Sequence, residues 1–427
     1  IETDSINILN SGKQWLGAPM GLGQGKITTL SYPIDLTGLV PNAPIHFNGR
    51  YLASSFNTEG IFEIQFNDSK IRTVQVAPVS GLVYDATAKS VIDSFNFSSA
   101  VQPPNNIVKL GYSGSANSTG WLDYIELHPW LNLSFNSNRS FAFNFVNAGS
   151  SNQTVQYQIQ NADSSTLIWD VTNIFEPIAY KGTYQDKAYT FSALEKKRQS
   201  FYALKQDAFE SVFLLDTVAN QDLQSMGQVD YLILAPSAFS SASKKLQQFH
   251  QDYHGLKVAV VDPVQIYNEF SGAQVSHIAI RNFIQYLKEK SIMNGYPAPS
   301  YLLLFGGANF NIKKLDKHIQ LPVYESESSN DVLSTYSSDD FYGILEEGLD
   351  INDPRTVGSL AIAIGRIPAK TKSEADTLVE KLIQYQLHPQ RGAWQNQLAF
   401  IADDEDYNLH LQDAEEITQH LKEHSSH

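Results

Sequence analysis

The densest cluster of chemically useful side chains is Asp403-Asp404, with Asp406 two residues on and His410 one helical turn further. It follows the apolar run Gln397–Ile401, so it stands where a buried strand is expected to end. Carboxylates this closely spaced suit a hard, oxygen-liganded cation, which makes Asp403, Asp404 and Asp406 candidate calcium ligands. They equally suit the first turn of a helix, where acids stabilise the macrodipole without any ligand. Three more strand ends are candidates for a site: Asp262, Gly306-Gly307 and Gly365-Arg366. Arg366 is expected to play a structural part, paired with Asp339 or Asp340, while His250, His254 and His277 share no ligand spacing and read as surface residues.

The chemistry excluded is as informative. The chain has no cysteine, so these residues hold no thiolate nucleophile, zinc–thiolate site or disulfide. No phosphate-binding loop, dinucleotide fingerprint or Gly-x-Ser-x-Gly elbow occurs. Gly21-Leu22-Gly23-Gln24-Gly25 lies among β-type sequence and reads as a loop. A formal net charge of −15 argues against nucleic-acid binding, which draws on clustered Lys and Arg. It is compatible with life outside a cell or with divalent cations. No apolar run is long enough for a transmembrane helix. The start at Ile1, without a methionine or signal-peptide pattern, suggests a processed or trimmed product.

The elements that must position these residues fall into two kinds. Up to about residue 180 the sequence alternates. Phe62, Ile64 and Phe66, then Phe141, Phe143 and Phe145, then Val155, Tyr157 and Ile159 each give a strand with one apolar face. Turn-forming clusters such as Asn147–Asn152 separate such runs, which predicts a β-sandwich. Trp121, Trp130 and Trp169 could form a carbohydrate-stacking platform or fill the inter-sheet core. Asn96, Asn117, Asn132, Asn138 and Asn152 open Asn-x-Ser/Thr triplets, which arise readily in an Asn/Ser-rich chain. Residues 181–228 read as a connector with strands near Thr190–Phe191 and Phe201–Ala203 and a short helix near Leu214–Leu223.

After that the pattern changes. Asp230–Pro236 is an unbroken apolar run closed by proline, as in a strand covered on both faces. Helix Ser241–His250, strand Lys257–Val261, helices Val264–Phe270 and Ser276–Lys290, and strand Tyr301–Phe305 follow. Strand Leu360–Ile364, helix Ser373–Gln386, strand Gln397–Ile401 and helix Asp413–His424 complete the series. This alternation predicts a doubly wound parallel sheet that binds its ligand at the strands' carboxyl ends.

Several of these segments together resemble the gingipain family of cysteine peptidases. They are Asp230–Leu234, Ile266–Phe270, Ala279–Phe283, Tyr301–Gly306, Ser338–Gly343, Ile364–Pro368 and Ala402–Asp404, in that order. Trp169-Asp170-Val171-Thr172, ahead of the α/β half, extends the resemblance to the sortase branch of that family, which serves type IX secretion in Bacteroidota. The resemblance implies a Cys nucleophile and a His base in a Gly-His-Gly motif, neither of which occurs here. It implies that Asp403, Asp404 and His410 belong to the pocket for the residue before the cut, and that calcium can bind nearby. A second calcium position is implied beside the third strand, but Gly307 stands where the family has an acid, leaving the loop Glu346–Asp353 as the acidic candidate.

The expected architecture is therefore multidomain: a β-sandwich at 1–180, the connector at 181–228, a gingipain- or caspase-like α/β subdomain at 229–392, and the truncated start of a second, catalytic subdomain at 393–427. The expected function is the amino-terminal portion of a secreted cysteine endopeptidase and transpeptidase, inert by itself and with no catalytic residue of its own. Its implied partners are cargo with a C-terminal signal domain, an outer-membrane β-barrel and an anionic lipopolysaccharide, at the cell surface or outside the cell. The alternative is a non-catalytic surface adhesin with a degenerate peptidase-like domain.

Overall fold

The computed structural model describes residues 1–99, 106–136, 139–146, 153–194, 196, 198–214, 217–353, 355 and 358–424. The expected turn cluster 147–152, with Asn138 and Asn152, lies outside them. The chain forms two compact units: residues 1–225, 310–312 and 322–359 make the first, and 226–309, 313–321 and 360–427 the second.

The first unit is all β, and it holds two sandwiches where the sequence suggested one. In the first sandwich, β1 (Thr29–Ile34), β6 (Asn106–Ser113), β3 (Gly60–Phe66) and β4 (Ser69–Val76) form one sheet. The other sheet is β5 (Lys89–Phe97), β2 (Ile45–Ser54) and β7 (Thr119–His128). Alternation sends Phe62, Ile64 and Phe66 inward to meet Phe47, Tyr51 and Leu110, all buried.

The second sandwich pairs β11 (Ile178–Tyr180), β10 (Leu167–Asp170), β14 (Arg198–Leu204) and β8 (Ser140–Val146) in one sheet. Its other sheet is β12 (Thr183–Gln185), β13 (Ala188–Leu194) and β9 (Thr154–Gln160). Phe135, Tyr157, Ile159, Phe191 and Phe201 are its core. Residues 181–204 are thus integral to a sandwich rather than a connector, because β13 pairs with β9 and β14 lies between β10 and β8. No helix forms at 217–222, and only the turn Leu223–Ser225 is helical there. Val212, Phe213, Leu214 and Val218 are exposed, with no surface to fold a helix against. In Trp169-Asp170-Val171-Thr172, Asp170 is buried, and its carboxylate accepts the amide of Thr172 at 2.9 Å. That bond closes the turn after β10.

Residues 322–359 were expected in the α/β half, yet they fold with the first unit. They carry the short hairpin β18 (Tyr324–Glu325) and β19 (Ser337–Ser338). Buried Glu325 ties this segment to the chain's start. It accepts the Gly12 amide at 2.8 Å, the Ser11 hydroxyl at 3.3 Å and the Ser337 hydroxyl at 2.7 Å. Gly12 has φ +80, and a Cβ there would lie 1.9 Å from the Ser328 carbonyl oxygen, so only glycine fits.

The second unit is α/β. Four parallel strands lie in the order β16 (Val258–Val261), β15 (Tyr231–Leu234), β17 (Tyr301–Phe305), β20 (Ala363–Ile367). Right-handed crossovers put α1 (Ser240–His254) on one face and α2 (Pro263–Phe270) with α3 (His277–Met293) on the other, because the connections run in opposite directions across the sheet. Ile233, Leu303 and Ile367 pack with Leu246 of α1 and with Ala375 and Val379 of α4 (Lys372–Leu387). Buried Leu232, Leu234, Leu302 and Leu304 alternate to the opposite face. This is the doubly wound arrangement expected.

Two boundaries differ from expectation. β20 starts at Ala363 and includes Gly365 and Arg366, because its register pairs Gly365 with Leu303 and Arg366 with Leu304. Gln397–Ile401 is not a strand. Leu398, Phe400 and Ile401 are exposed, and among the described residues nothing pairs with them to complete a ladder. The last helix, α5 (Glu405–His424), has no buried residue, and Asp406, Tyr407 and Asn408 take left-handed φ near its start. Such a conformation costs about 1–2 kcal/mol per residue.

Replacing Glu325 by Ala leaves the buried Gly12 amide unpaired. The expected cost is roughly 1–3 kcal/mol in urea unfolding, with faster protease nicking between residues 326 and 359. An unchanged midpoint and cleavage rate would show that this carboxylate does not hold the segment.

Candidate functional site

The strand order reverses direction between β15 and β17, and open α/β sheets bind ligands outside the carboxyl ends of the strands at such a point. Gly306 and Arg366 meet there, and Asp262 follows the end of the neighbouring strand β16. Gly306 ends β17 with φ +145, and its amide donates to Ile367 O at 2.8 Å. A Cβ on it would sit 2.7 Å from Ile319 O. Arg366, half-buried in β20, donates from Nη1 to the carbonyl oxygens of Gly306 at 3.1 Å and Gly307 at 3.4 Å. It holds the glycine turn in place through these carbonyls, which the sequence did not suggest. Asp262 caps α2, accepting the Val264 amide at 2.9 Å, with Pro263 in the first turn.

Sequence reasoning missed Tyr267. It is fully buried on α2, and its hydroxyl has no hydrogen-bond partner among the described residues. Burial raises its pKa well above the usual phenol value; the nearby Asp262 carboxylate adds to this and Arg366 opposes it. A tyrosine in an amphipathic helix looks like core, so only the neighbouring charges reveal its place at the switch point.

The acidic cluster lies elsewhere in the unit. Asp403, Asp404, Asp406 and His410 are all exposed. The fold brings His410 Nε2 to 3.4 Å from Asp406 Oδ2. Asp403 and His410 line a shallow depression of about 370 Å³ with Phe400, Ile401, Asp413 and Ile417, and Asp404 lies outside it. Among the described residues no three Asp, Glu or His converge as a metal site would require. The three carboxylates therefore do not form a calcium cage in this arrangement. The loop Glu346–Asp353 is likewise not a cage: Asp353 pairs with Arg355 at 2.9 Å, and Asp350 accepts the Asn352 amide at 2.9 Å.

The remaining candidates separate by burial. Trp121 is in the core, Trp169 is half-buried, and Trp130 is exposed, so the three share no platform. His254 is exposed and contacts Gln386 Oε1 at 2.7 Å, and His277 is half-buried. His250, expected at the surface, is half-buried. Its ring packs against Tyr231, Phe249 and His254 at 5.0, 5.3 and 5.2 Å, and its Nδ1 is buried with no hydrogen-bond partner among the described residues. Burial, and next the positive charge His254 can carry, hold its pKa below the usual imidazole value.

Residues 224–426 match the sequence model of Peptidase family C25. The solved structure of dimeric latent PorU from Porphyromonas gingivalis superposes with a TM-score of 0.76 over 96% of this chain, at 20% sequence identity. The fold is that of PorU. The chain spans 40% of that PorU chain. Two carbohydrate-binding modules give only remote likenesses. TmCBM61 with bound β-1,4-galactotriose has a TM-score of 0.16 and 12% identity over 24% of this chain and 62% of its own. The CBM22 tandem of Paenibacillus barcinonensis Xyn10C has a TM-score of 0.14 and 10% identity over 41% of this chain and 74% of its own. Neither bears on the fold or on binding. No curated protein sequence matches the chain. The PorU-like fold and the C25 match agree with the sequence resemblance, and they place the C25 region over the parallel sheet and its strand ends.

Gly306→Ala introduces both a disfavoured φ and a backbone clash. It is expected to cost roughly 1–3 kcal/mol or more, read as a lower denaturant midpoint at unchanged slope. His250 gives a pH signature. Its folded pKa lies below its unfolded value, so the unfolded chain takes up the proton first. Stability is complete above the usual imidazole value of about 6.5 and falls as pH drops through it. His250→Phe should flatten that fall below about pH 6.5, and an unchanged slope would remove His250 as its source.

Proposed function

We propose that this chain is the amino-terminal part of a secreted cysteine endopeptidase and transpeptidase. In this reading the parent protein is a sortase that cuts C-terminal signal domains from type IX secretion cargo and attaches the cargo at the cell surface. The observation that carries the reading is the PorU-like fold over 96% of the chain, joined to the C25 match at residues 224–426.

The chemistry of such an enzyme divides as follows. A thiolate attacks the scissile carbonyl, an imidazole carries the proton to the leaving amine, and backbone amides hold the oxyanion. With no cysteine in these residues, the nucleophile comes from outside them, and the chain alone leaves peptides intact. Its own contribution is a rigid parallel sheet and, at residues 403–410, part of a wall. Asp403 and His410, which border the same depression, with Asp404 beside them, would face the residue before the cut. The bare apolar side chains of Leu398, Phe400, Ile401 and Ile417 favour this reading, because an unpaired apolar segment fits an edge that a catalytic subdomain would cover. No step of this chemistry is routed through calcium.

The test is genetic. Deleting the gene in its host should leave cargo with the signal domain retained on immunoblots and released instead of anchored. The complete gene should restore processing, and a segment encoding residues 1–427 alone should not. Normal processing in the deletion strain would overturn the reading and leave a surface-binding role.

A further inference from the structure

The second sandwich ends on one side with two edge strands. Among the described residues β8 has β14 as its sole strand neighbour, and β9 has β13 and, at its last residue Gln160 alone, a bridge to Ser134. Natural edge strands are usually guarded by Lys, Pro or inward charges. β8 reads Ser-Phe-Ala-Phe-Asn-Phe-Val and has none of these. A groove of about 520 Å³ lies against it. The groove touches four consecutive residues, Ala142, Phe143, Asn144 and Phe145. Side chains of a strand alternate between faces, so a groove that meets all four runs along the strand's edge and not over one face. The rest of its lining is Tyr157 of β9, His46 of β2 and residues 127–131 and 133, among which Trp130 is 57% exposed.

We propose that this groove is a β-augmentation site, which takes an extended peptide segment of another protein as an added strand beside β8. The backbone argues for a strand over other occupants. An open edge offers amide donors and carbonyl acceptors at strand spacing, and another extended chain matches that row along its length. The side chains set the sequence class. Alternate residues of the incoming strand meet Phe143, Phe145 and Tyr157 and are apolar or aromatic. Those between them meet Ala142 and Asn144, both exposed, and are polar. Trp130 lines the same groove and offers an exposed ring to the added strand. This inference stands independently of the peptidase reading.

The test uses the whole chain and a panel of ten-residue peptides that alternate Thr with Val, Leu, Phe or Tyr. Binding is read by hydrogen exchange of residues 140–146 and by tryptophan fluorescence. The expected result is slowed exchange across 140–146 and a blue-shifted emission. The shift should be lost when alternate peptide amides are N-methylated. Trp130→Ala, a change at an exposed side chain, should weaken binding by about tenfold or more. Three results would overturn the proposal. One is no protection by any peptide at about 1 mM. Another is fluorescence quenching by a galacto- or cello-oligosaccharide with exchange of 140–146 unchanged while no peptide binds, which would make Trp130 a sugar platform. The third is protection that rises with protein concentration and that no peptide displaces, which would assign the edge to a second copy of the chain.

Discussion

A parallel strand buried on both faces needs long crossovers, and β15 imposes that requirement on everything after it. Leu232, Ile233 and Leu234 are fully buried, so neither face of the strand can meet water. Its neighbours on both sides run parallel, so each connection must return the chain to the same end of the sheet. The connection to β16 goes one way and the connection back to β17 goes the other. The reversal, with its crevice, follows from this. So does the meeting of Gly306 and Arg366, which come from the ends of two separate strands.

The same requirement explains why Arg366 binds carbonyls. A glycine with φ +145 ends β17 in a turn whose backbone oxygens point away from the ladder. A guanidinium one strand over satisfies two of them. The fixed fork of the side chain suits this better than a lysine would. The price of the arrangement is a position where no residue but glycine fits without strain, which makes Gly306 a structural residue in a place where function is usually sought.

Legibility in the sequence followed the physics of each element. Tyr301–Phe305 and the helices of the α/β unit were readable because burial on two faces or along one stripe leaves its own period. The β half was readable strand by strand, yet its division was not. Nothing local in Thr190–Phe191 or Phe201–Ala203 says that they pair with β9, β8 and β10 to close a second sandwich. Residues 322–359 failed for the same reason. Their attachment depends on Glu325 meeting Gly12 across more than three hundred positions, and a single buried carboxylate in a Ser-rich stretch looks like surface. Gln397–Ile401 shows the opposite error: the apolar pattern is that of a strand, but a strand exists only where another strand pairs with it.

The candidate site divides along the same line. Asp262 and the glycines were legible because caps and positive φ demand particular residues. Tyr267 was hidden, since its helix explains it fully as core until the charges beside it are known. The cluster at 403–410 was conspicuous in sequence for its charge, which suited a cation site and the first turn of a helix alike, and Asp406 lies in the first turn of α5. Charge density along a chain says nothing of convergence, and a cation needs its oxygens on one point. Asp406 turns back to His410 at 3.4 Å, Asp403 borders a shallow depression, and Asp404 stands outside it. The apolar side chains of Leu398, Phe400 and Ile401 immediately before them are exposed in the same way, so neither the charged nor the apolar part of this segment belongs to the unit's core.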